Sequence, residues 1–462
     1  MKITVNTGEK RQTVTGFGVS GAWWAQEVGL WSEKDRDGET EKREAIARLL
    51  FSREEGIGIT QYRYNLGSGS LRSGKGTYGN PDRRADCFAD SDGKYDFSRD
   101  EGAVWFMNRA SQLGADEITL FVNSPPEFMT KNGMGHCSYP MVSNLSPKNY
   151  ERFADYVLAS AKHFASQGVP VKYISPVNEP VWVWTGGQEG CHYSPSQVKK
   201  LLGIFARKMK ADPAFEGIKL SGAENGDIRW FNKSYTRVMR SSPIKEMTDA
   251  VDVHSYFLPV PGFIPKFIAK PLNDRLAFVR RFRKYMDRRF PGVAVKTSEW
   301  CHMQGGRNCG IDSALEQAKV MAQDLTLLSV TAWQLWVALS HVDYCDGLIY
   351  YDNDSRDYEL TKRYYAFGNF SKLVRPGAVR LETEAEGGII ALAFEQRDNY
   401  ALILINPGDA ASSAEICGIG GIGGKAKIYV TDGERNLAEE ETDTDAGLKL
   451  TPKSVTTVII DK

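Results

Sequence analysis

A closed (β/α)8 barrel of the TIM type, carrying a smaller antiparallel β-sandwich side domain, is the fold class this sequence predicts. Three observations carry it. A β-branched or aromatic run, a polar tip rich in Gly, Pro and Asn, and a helical pattern follow one another eight times. Beyond Leu360 the texture changes to short alternating runs with Gly-rich breaks. The 462 residues suffice for one large domain and a smaller one.

The predicted barrel strands are residues 14–20, 59–64, 118–122, 172–177, 218–221, 250–253, 294–297 and 330–336. Their tips read, in order, Gly21-Ala22-Trp23-Trp24, Asn65-Leu66-Gly67, Asn123-Ser124-Pro125-Pro126, Asn178-Glu179-Pro180, Ala223-Glu224-Asn225, His254-Ser255-Tyr256, Ser298-Glu299-Trp300 and residues 337–341. Apolar residues at three- and four-residue spacing predict helices over 41–51, 150–167, 195–210, 272–288 and 313–329. Ser194-Pro195 reads as an N-cap followed by proline in the first turn. An open doubly wound sheet gives the same alternation; a barrel is preferred because it gathers chemistry onto the face built by the strand tips.

After the barrel, runs at 388–394, 400–405, 427–430 and 455–460 argue for antiparallel strands. Residues 2–5 form a strand with no helix of its own, which predicts that it pairs into the terminal β-domain. The expected division is therefore 13–363 for the barrel, and 1–12 with 364–462 for a side domain built from both termini.

Composition excludes several function classes. Lys and Arg total 58 against 58 Asp and Glu, so the basic footprint needed to hold a nucleic-acid backbone is missing. No apolar run reaches the ~18 residues of a membrane span, and the opening MKITVNTGEKRQTV has no secretory h-region. A cytoplasmic protein and a secreted one whose leader has been removed both fit that start, and oligomeric state leaves no trace. The 7 Cys are odd in number and scattered, unlike a disulfide framework. Aromatic residues reach 11%, and several Trp stand beside polar residues at strand ends.

Two carboxylates stand out by position. Glu179 and Glu299 end the fourth and seventh predicted strands, whose tips face each other across the mouth of an eight-stranded barrel. Two such groups ~5–5.5 Å apart serve retaining glycoside hydrolysis, whereas ~6.5–9.5 Å leaves room for water and gives inversion. Crowding of like charges raises one carboxyl pKa, keeping one acid protonated while the other is ionised. The plain alternative, that each glutamate caps a helix or pairs with an arginine, stays open on position alone. Asn178 is placed to donate to a sugar hydroxyl, and Trp182, Trp184, Trp300, Trp333 and Trp336 offer flat faces for sugar rings, although a Trp stripe more often belongs to the core.

These motifs together resemble glycoside hydrolase family 30. The resemblance rests on Gly16-Phe17-Gly18-Val19-Ser20 with Trp23-Trp24, Tyr64-Asn65-Leu66-Gly67, Asn123-Ser124-Pro125-Pro126, Asn178-Glu179-Pro180, Ser298-Glu299-Trp300, and Lys362-Arg363-Tyr364-Tyr365 through Arg375-Pro376-Gly377. It implies Glu179 as general acid/base, Glu299 as nucleophile, retention of configuration, and no metal or organic cofactor. Residues 21–25 and 188–191 resemble the branch containing endo-β-1,6-galactanases, with an oligo- or polysaccharide as the partner. β-1,6-Glucanase, xylanase and glucosylceramidase activities of neighbouring branches are the alternatives, as is a carbohydrate-binding protein that has lost catalysis. Trp24, Asn65, Asn123, His254, Tyr256, Trp300 and Trp333 complete the expected substrate-binding set with Asn178, and His254 with Tyr256 are also placed to orient Glu299.

Two other signals fail. Gly69-Ser70-Leu71-Arg72-Ser73-Gly74-Lys75 starts like a phosphate loop, but Gly76 replaces the magnesium-binding hydroxyl and residues 77–81 cannot open a helix. Cys301-His302 with Cys309, and His341 with Cys345, match no zinc spacing; whether Cys301 and Cys309 pair, as an exported form would allow, stays open.

Overall fold

The computed structural model describes every residue except 77, 79–81, 223, 230–231, 259, 261–265, 420–423 and 445–446. Ala223 of the fifth expected tip and most of the 77–81 stretch therefore lie outside the described residues.

The chain opens with β1 (Lys2–Thr13). Next come β2 (Gly16–Ser20), β3 (Gln61–Asn65), β4 (Glu117–Phe121), β5 (Val171–Ser175), β6 (Lys219–Leu220), β7 (Ala250–His254), β8 (Ala294–Glu299) and β9 (Ala332–Leu335). They make one eight-stranded sheet in the order β6-β5-β4-β3-β2-β9-β8-β7, a (β/α)8 barrel as expected. Each observed strand overlaps its predicted counterpart. Strands β2, β3 and β7 are buried along their whole length, although Gln61, Arg63 and Asn65 in β3 and Asp252 and His254 in β7 alternate with apolar residues. Between β6 and β7, at the ends of that order, the His254 amide donates to the Asn225 carbonyl at 3.2 Å.

Ser194 caps the helix Pro195–Ala211, accepting from the Gln197 amide in a capping box with proline in the first turn. The helix Glu101–Leu113 is one the spacing did not predict; Asp100 before it is left-handed and its side chain makes no cap. The expected 313–329 helix is observed as Ile311–Gln323, followed by a π turn, Asp324–Leu328.

Contact density divides the chain into two units. One comprises Val19–Ala47 and Gln61–Trp300, and contains β3 to β8. The other comprises Met1–Gly18, Arg48–Thr60 and Cys301–Lys462. This second unit holds a small sheet of β10 (Leu339–Ser340), β11 (Ile349–Tyr351) and β12 (Tyr358–Leu360). It also holds β13 (Val379–Ala385), β14 (Ile390–Glu395), β15 (Asn399–Asn406), β16 (Ser412–Cys417), β17 (Lys425–Thr431), β18 (Ala438–Asp443), β19 (Leu448–Leu450) and β20 (Ser454–Asp461). With β1 these form a nine-stranded, mostly antiparallel sheet. The first strand pairs antiparallel with β13, Ile3 opposite Ala385, and parallel with β16, as its lack of a helix predicts. Ile3, Val5, Leu381, Leu402, Leu404 and Val458 are among its core.

None of the seven cysteines is in a disulfide. Cys301 Sγ faces Met303 Sδ at 3.7 Å and Cys309 Sγ faces a Glu359 carboxylate oxygen at 3.3 Å, so the two are not bridged to each other. No helix among the described residues is long and apolar enough to cross a membrane.

Candidate active site

Strand geometry aims the acidic groups. Along β7 and β8 the parallel register shifts by one residue, Val253 opposite Thr297 and His254 opposite Glu299. Such an irregularity re-aims the side chains beyond it. Beyond β5, Asn178 bridges to Glu224, and the Glu179 amide donates to the Glu224 carbonyl at 2.8 Å. Glu179 itself has φ 40°, a left-handed conformation rare outside glycine and concentrated at functional sites. Its side chain needs the space that Gly226 leaves: a β-carbon there would stand 2.4 Å from Glu179 Oε1 and 2.0 Å from Trp182 Nε1.

One oxygen of Glu179, one ring nitrogen of His254 and one oxygen of Glu299 lie within 4.8 Å of one another. His254 Nδ1 is 2.8 Å from Glu179 Oε1 and 3.4 Å from Glu299 Oε1, while its Nε2 is 3.0 Å from Glu224 Oε2. The Tyr256 hydroxyl donates to Glu299 Oε1 at 2.9 Å. Arg63 Nη1 donates to Glu299 Oε2 at 3.0 Å, and Nη2 to Glu224 Oε2 at 2.7 Å. A cation would compete for the Glu179–His254–Glu299 atoms. However, the short Nδ1 contact is a hydrogen bond, which requires a proton where a metal would require the nitrogen lone pair.

Burial and facing charges set the protonation states. Burial works against the His254 cation, but the charge of Glu299 and the hydrogen bonds to Glu179 and Glu224 outweigh it, and its pKa is pushed up to about 10. Burial alone would raise Glu224; the charge of Arg63 and the bond from His254 overcome that and hold its carboxyl well below the usual range. Glu299 is raised by burial and by Glu179, with His254 and Arg63 pulling the other way.

The expected substrate-binding residues separate into two groups. Asn178, Asn123 and Asn65 form a chain, Asn178 Nδ2 donating to Asn123 Oδ1 at 2.9 Å and Asn123 Nδ2 to Asn65 Oδ1 at 3.0 Å. Asn178 Nδ2 gives one of its two protons to Asn123, while Oδ1 is buried with no hydrogen-bond partner. Both His254 nitrogens face carboxylates, so the ring orients acids rather than hydroxyls. Trp300 is buried directly after Glu299.

The other group belongs to the core. Trp333 is fully buried, with Nε1 donating to Asp324 Oδ2 at 2.9 Å, and offers no face for a sugar ring. Trp24 is buried edge-on against Phe106, and its Nε1 donates to the Ser20 carbonyl. Trp23, Trp182, Trp184 and Trp336 keep partly exposed rings. Trp184 Nε1 also donates to the Glu179 carbonyl at 2.9 Å.

Sequence reasoning passed over Arg63 and gave Glu224 no role. A signal existed for the first: arginine in the middle of a strand buried at every position, two residues before Asn65 and hence on the same face. Asp252 and Lys296 are similarly placed inside β7 and β8.

Two carboxylates this close at the strand tips of a barrel are compatible with glycoside hydrolysis. The chain belongs to O-glycosyl hydrolase family 30, whose model matches residues 1–350. Enzymes of this family hydrolyse glycosidic bonds with retention of configuration. An endo-β-1,6-galactanase of Hypocrea rufa is 25% identical over 418 residues, spanning 82% of this chain and 76% of the relative. An exo-β-1,6-galactobiohydrolase of Bifidobacterium longum subsp. longum is 28% identical over 214 residues, 36% of this chain and 14% of that protein. A conserved exported protein from Bacteroides fragilis superposes with a TM-score of 0.87 at 24% identity, each chain covered to 100%.

Proposed function

We propose that this enzyme cleaves β-1,6-linked galactan by double displacement, with Glu299 as nucleophile and Glu179 as general acid and then base. The observation that carries the chemistry is the approach of a Glu179 oxygen to a Glu299 oxygen within 4.8 Å, which suits the closer of the two carboxylate spacings. The substrate reading is supported by the two relatives named for β-1,6-galactan chemistry.

In the first step a Glu299 oxygen bonds to the anomeric carbon while the bond to the leaving oxygen breaks and takes the Glu179 proton. Water, deprotonated by Glu179, then releases the sugar. Arg63 and Tyr256, bonded to opposite oxygens of Glu299, hold the carboxylate for attack. Asn178 binds a hydroxyl beside the reacting carbon through its unpartnered Oδ1, and Trp300 packs against the sugar. In the same reading residues 13–363 are the catalytic barrel, and 1–12 with 364–462 the side domain, a division supported by the pairing of β1 with β13.

The test is a panel of β-1,6-galactan, β-1,6-glucan, glucuronoxylan and an aryl β-galactoside, with product sizing and proton NMR of the first-formed anomer. Fastest turnover of galactan with a β-anomeric product is expected. Preference for glucan or xylan would replace the substrate, and binding without product would replace the activity.

A further inference from the structure

We propose that Glu224 is a positioning residue for hydrolysis: it fixes His254 through Nε2 as a cation whose Nδ1 proton stands between Glu179 and Glu299. The proposal rests on the roles given to those two glutamates above.

Glu224 is fully buried yet richly supplied with donors. On Oε2 it accepts from Arg63 Nη2 at 2.7 Å, His254 Nε2 at 3.0 Å and Ser298 Oγ at 3.1 Å; Ser221 Oγ lies 3.3 Å from Oε1, with its proton directed to Asp252. A carboxylate so provided has no use for a proton of its own, so the ring nitrogen facing it carries one. The other nitrogen faces Glu179, and both nitrogens of one ring donate only when the ring is an imidazolium.

That cation sits where the negative charge must travel. In the first step Glu299 changes from carboxylate to neutral ester, while Glu179 gives its proton to the leaving oxygen and becomes a carboxylate. The charge thus crosses from Glu299 to Glu179, and His254 Nδ1 lies 3.4 Å from an oxygen of one and 2.8 Å from an oxygen of the other. A fixed cation between them stabilises both ends of the transfer without moving, the arrangement that preorganised electrostatics favours. The proton taken from Glu179 returns from water in the second step, and His254 keeps its own throughout.

Other groups facing the ring are consistent with this. Glu179 and Glu299 meet it from the tips of β5 and β8, and Tyr256 lies edge-on at 6.1 Å. On its own strand, Asp252 accepts from Ser221 Oγ at 2.5 Å and pairs with Lys296 at 3.6 Å, so its charge is engaged away from the imidazole. Arg63 reaches the ring only through Glu224 and Glu299.

Nitrogen-15 NMR of the histidine rings, with the His254 signals assigned by their loss in His254→Gln, reads the proton directly. Both His254 nitrogens are expected to stay protonated from pH 5 to 8 in the wild-type enzyme. In Glu224→Gln the ring should titrate at least one pH unit lower, and the alkaline limb of kcat/KM should move down by the same amount. Turnover should fall at least tenfold with KM within threefold, and Glu224→Asp should restore both limb and rate in large part. A wild-type His254 that is neutral at pH 7 would overturn the proposal even if Glu224→Gln failed to fold. So would a slower Glu224→Gln enzyme whose pH limbs stay in place, since that is the mark of a merely structural role. If no glycan is cleaved, the functional reading fails, while the NMR titration still decides whether Glu224 sets the charge of His254.

Discussion

Beneath the tips of β3, β7 and β8 the buried side chains are Arg63, Asp252, His254 and Lys296, each no more than 3% exposed, together with Glu224 at 0%. In the unit that holds β13 to β20, Leu381, Leu402, Leu404 and Val458 belong to an apolar cluster buried as fully, although Arg380 at 2% and Arg363 at 1% are buried in that unit too. An apolar interior is stabilised by area removed from water and tolerates change in proportion to volume. A charged interior is stable only while each charge keeps its partner, so the loss of one group strands another. Substitutions in the charged network and in the apolar cluster should therefore fail in different ways.

The largest effect is expected at the carboxylates. Glu299→Gln should lower turnover by at least ~10⁴-fold on every substrate, since no covalent intermediate can form. Glu179→Gln should cost ~10²–10⁴-fold on galactan. On an aryl galactoside its penalty should be much smaller in the first step, because that leaving group departs without a proton. Equal losses on both substrates, read by steady-state kinetics, would reverse or abolish the assignment.

Stability should separate the interiors next. Lys296 lies 3.6 Å from both Glu117 Oε1 and Asp252 Oδ1, with its ammonium 3.2 Å from the centre of the Tyr173 ring. Lys296→Met strands both carboxylates and should cost about 3–5 kcal/mol in denaturant unfolding. Replacing Asp252 by Asn as well should return part of that cost. Leu404→Ala in the antiparallel sheet should cost about 2–5 kcal/mol by leaving a cavity, with no second substitution of charge able to relieve it.

A smaller and purely local effect belongs to Gly226. An added methyl would overlap Glu179 Oε1 and Trp182 Nε1, so Gly226→Ala must displace the acid. A shift of about 1 Å at a catalytic group costs up to ~10²-fold in rate. The loss should appear in kcat on galactan, with unfolding almost unchanged; an unaltered kcat would mean Glu179 works from another position.

Much of this fold was readable because short β-branched or aromatic runs recur between helically spaced segments, and because proline, asparagine and glycine punctuate their ends. The side β-domain was readable from the short alternating runs beyond Leu360, and the share of β1 in it from the absence of a helix to follow that strand. What the sequence hid was pairing. Nothing local distinguishes Trp23 from Trp24, yet one keeps an exposed face and the other packs on Phe106. Likewise Glu224, seen as one tip residue among many, becomes significant only when β3 and β7 bring Arg63 and His254 to it. Charges spaced 30 to 161 residues apart meet at that single carboxylate, and such meetings are set by the closure of the barrel, which periodicity does not encode.

Those meetings predict a pH dependence of stability whose sign follows from His254. The carboxylates around it push its pKa up to about 10 from the ordinary 6.5, so between these values the folded state binds one proton more than the unfolded chain. Its stabilising contribution is fully present below pH 6.5 and is lost as pH rises toward 10, with a slope of at most ~1.4 kcal/mol per pH unit from this one group. Glu224 acts in the opposite sense: its depressed pKa contributes stability above the ordinary carboxylate range that is lost as pH falls below it. In the window from pH 6.5 to 9, where Glu224 is ionised in both states, the His254 slope stands apart from that of Glu224. Unfolding free energies measured across it should decline more steeply for the wild-type enzyme than for His254→Gln, which has no proton to lose. Parallel slopes would show that the imidazole is neutral in the folded enzyme, and that Glu179 and Glu299 face each other without a cation between them.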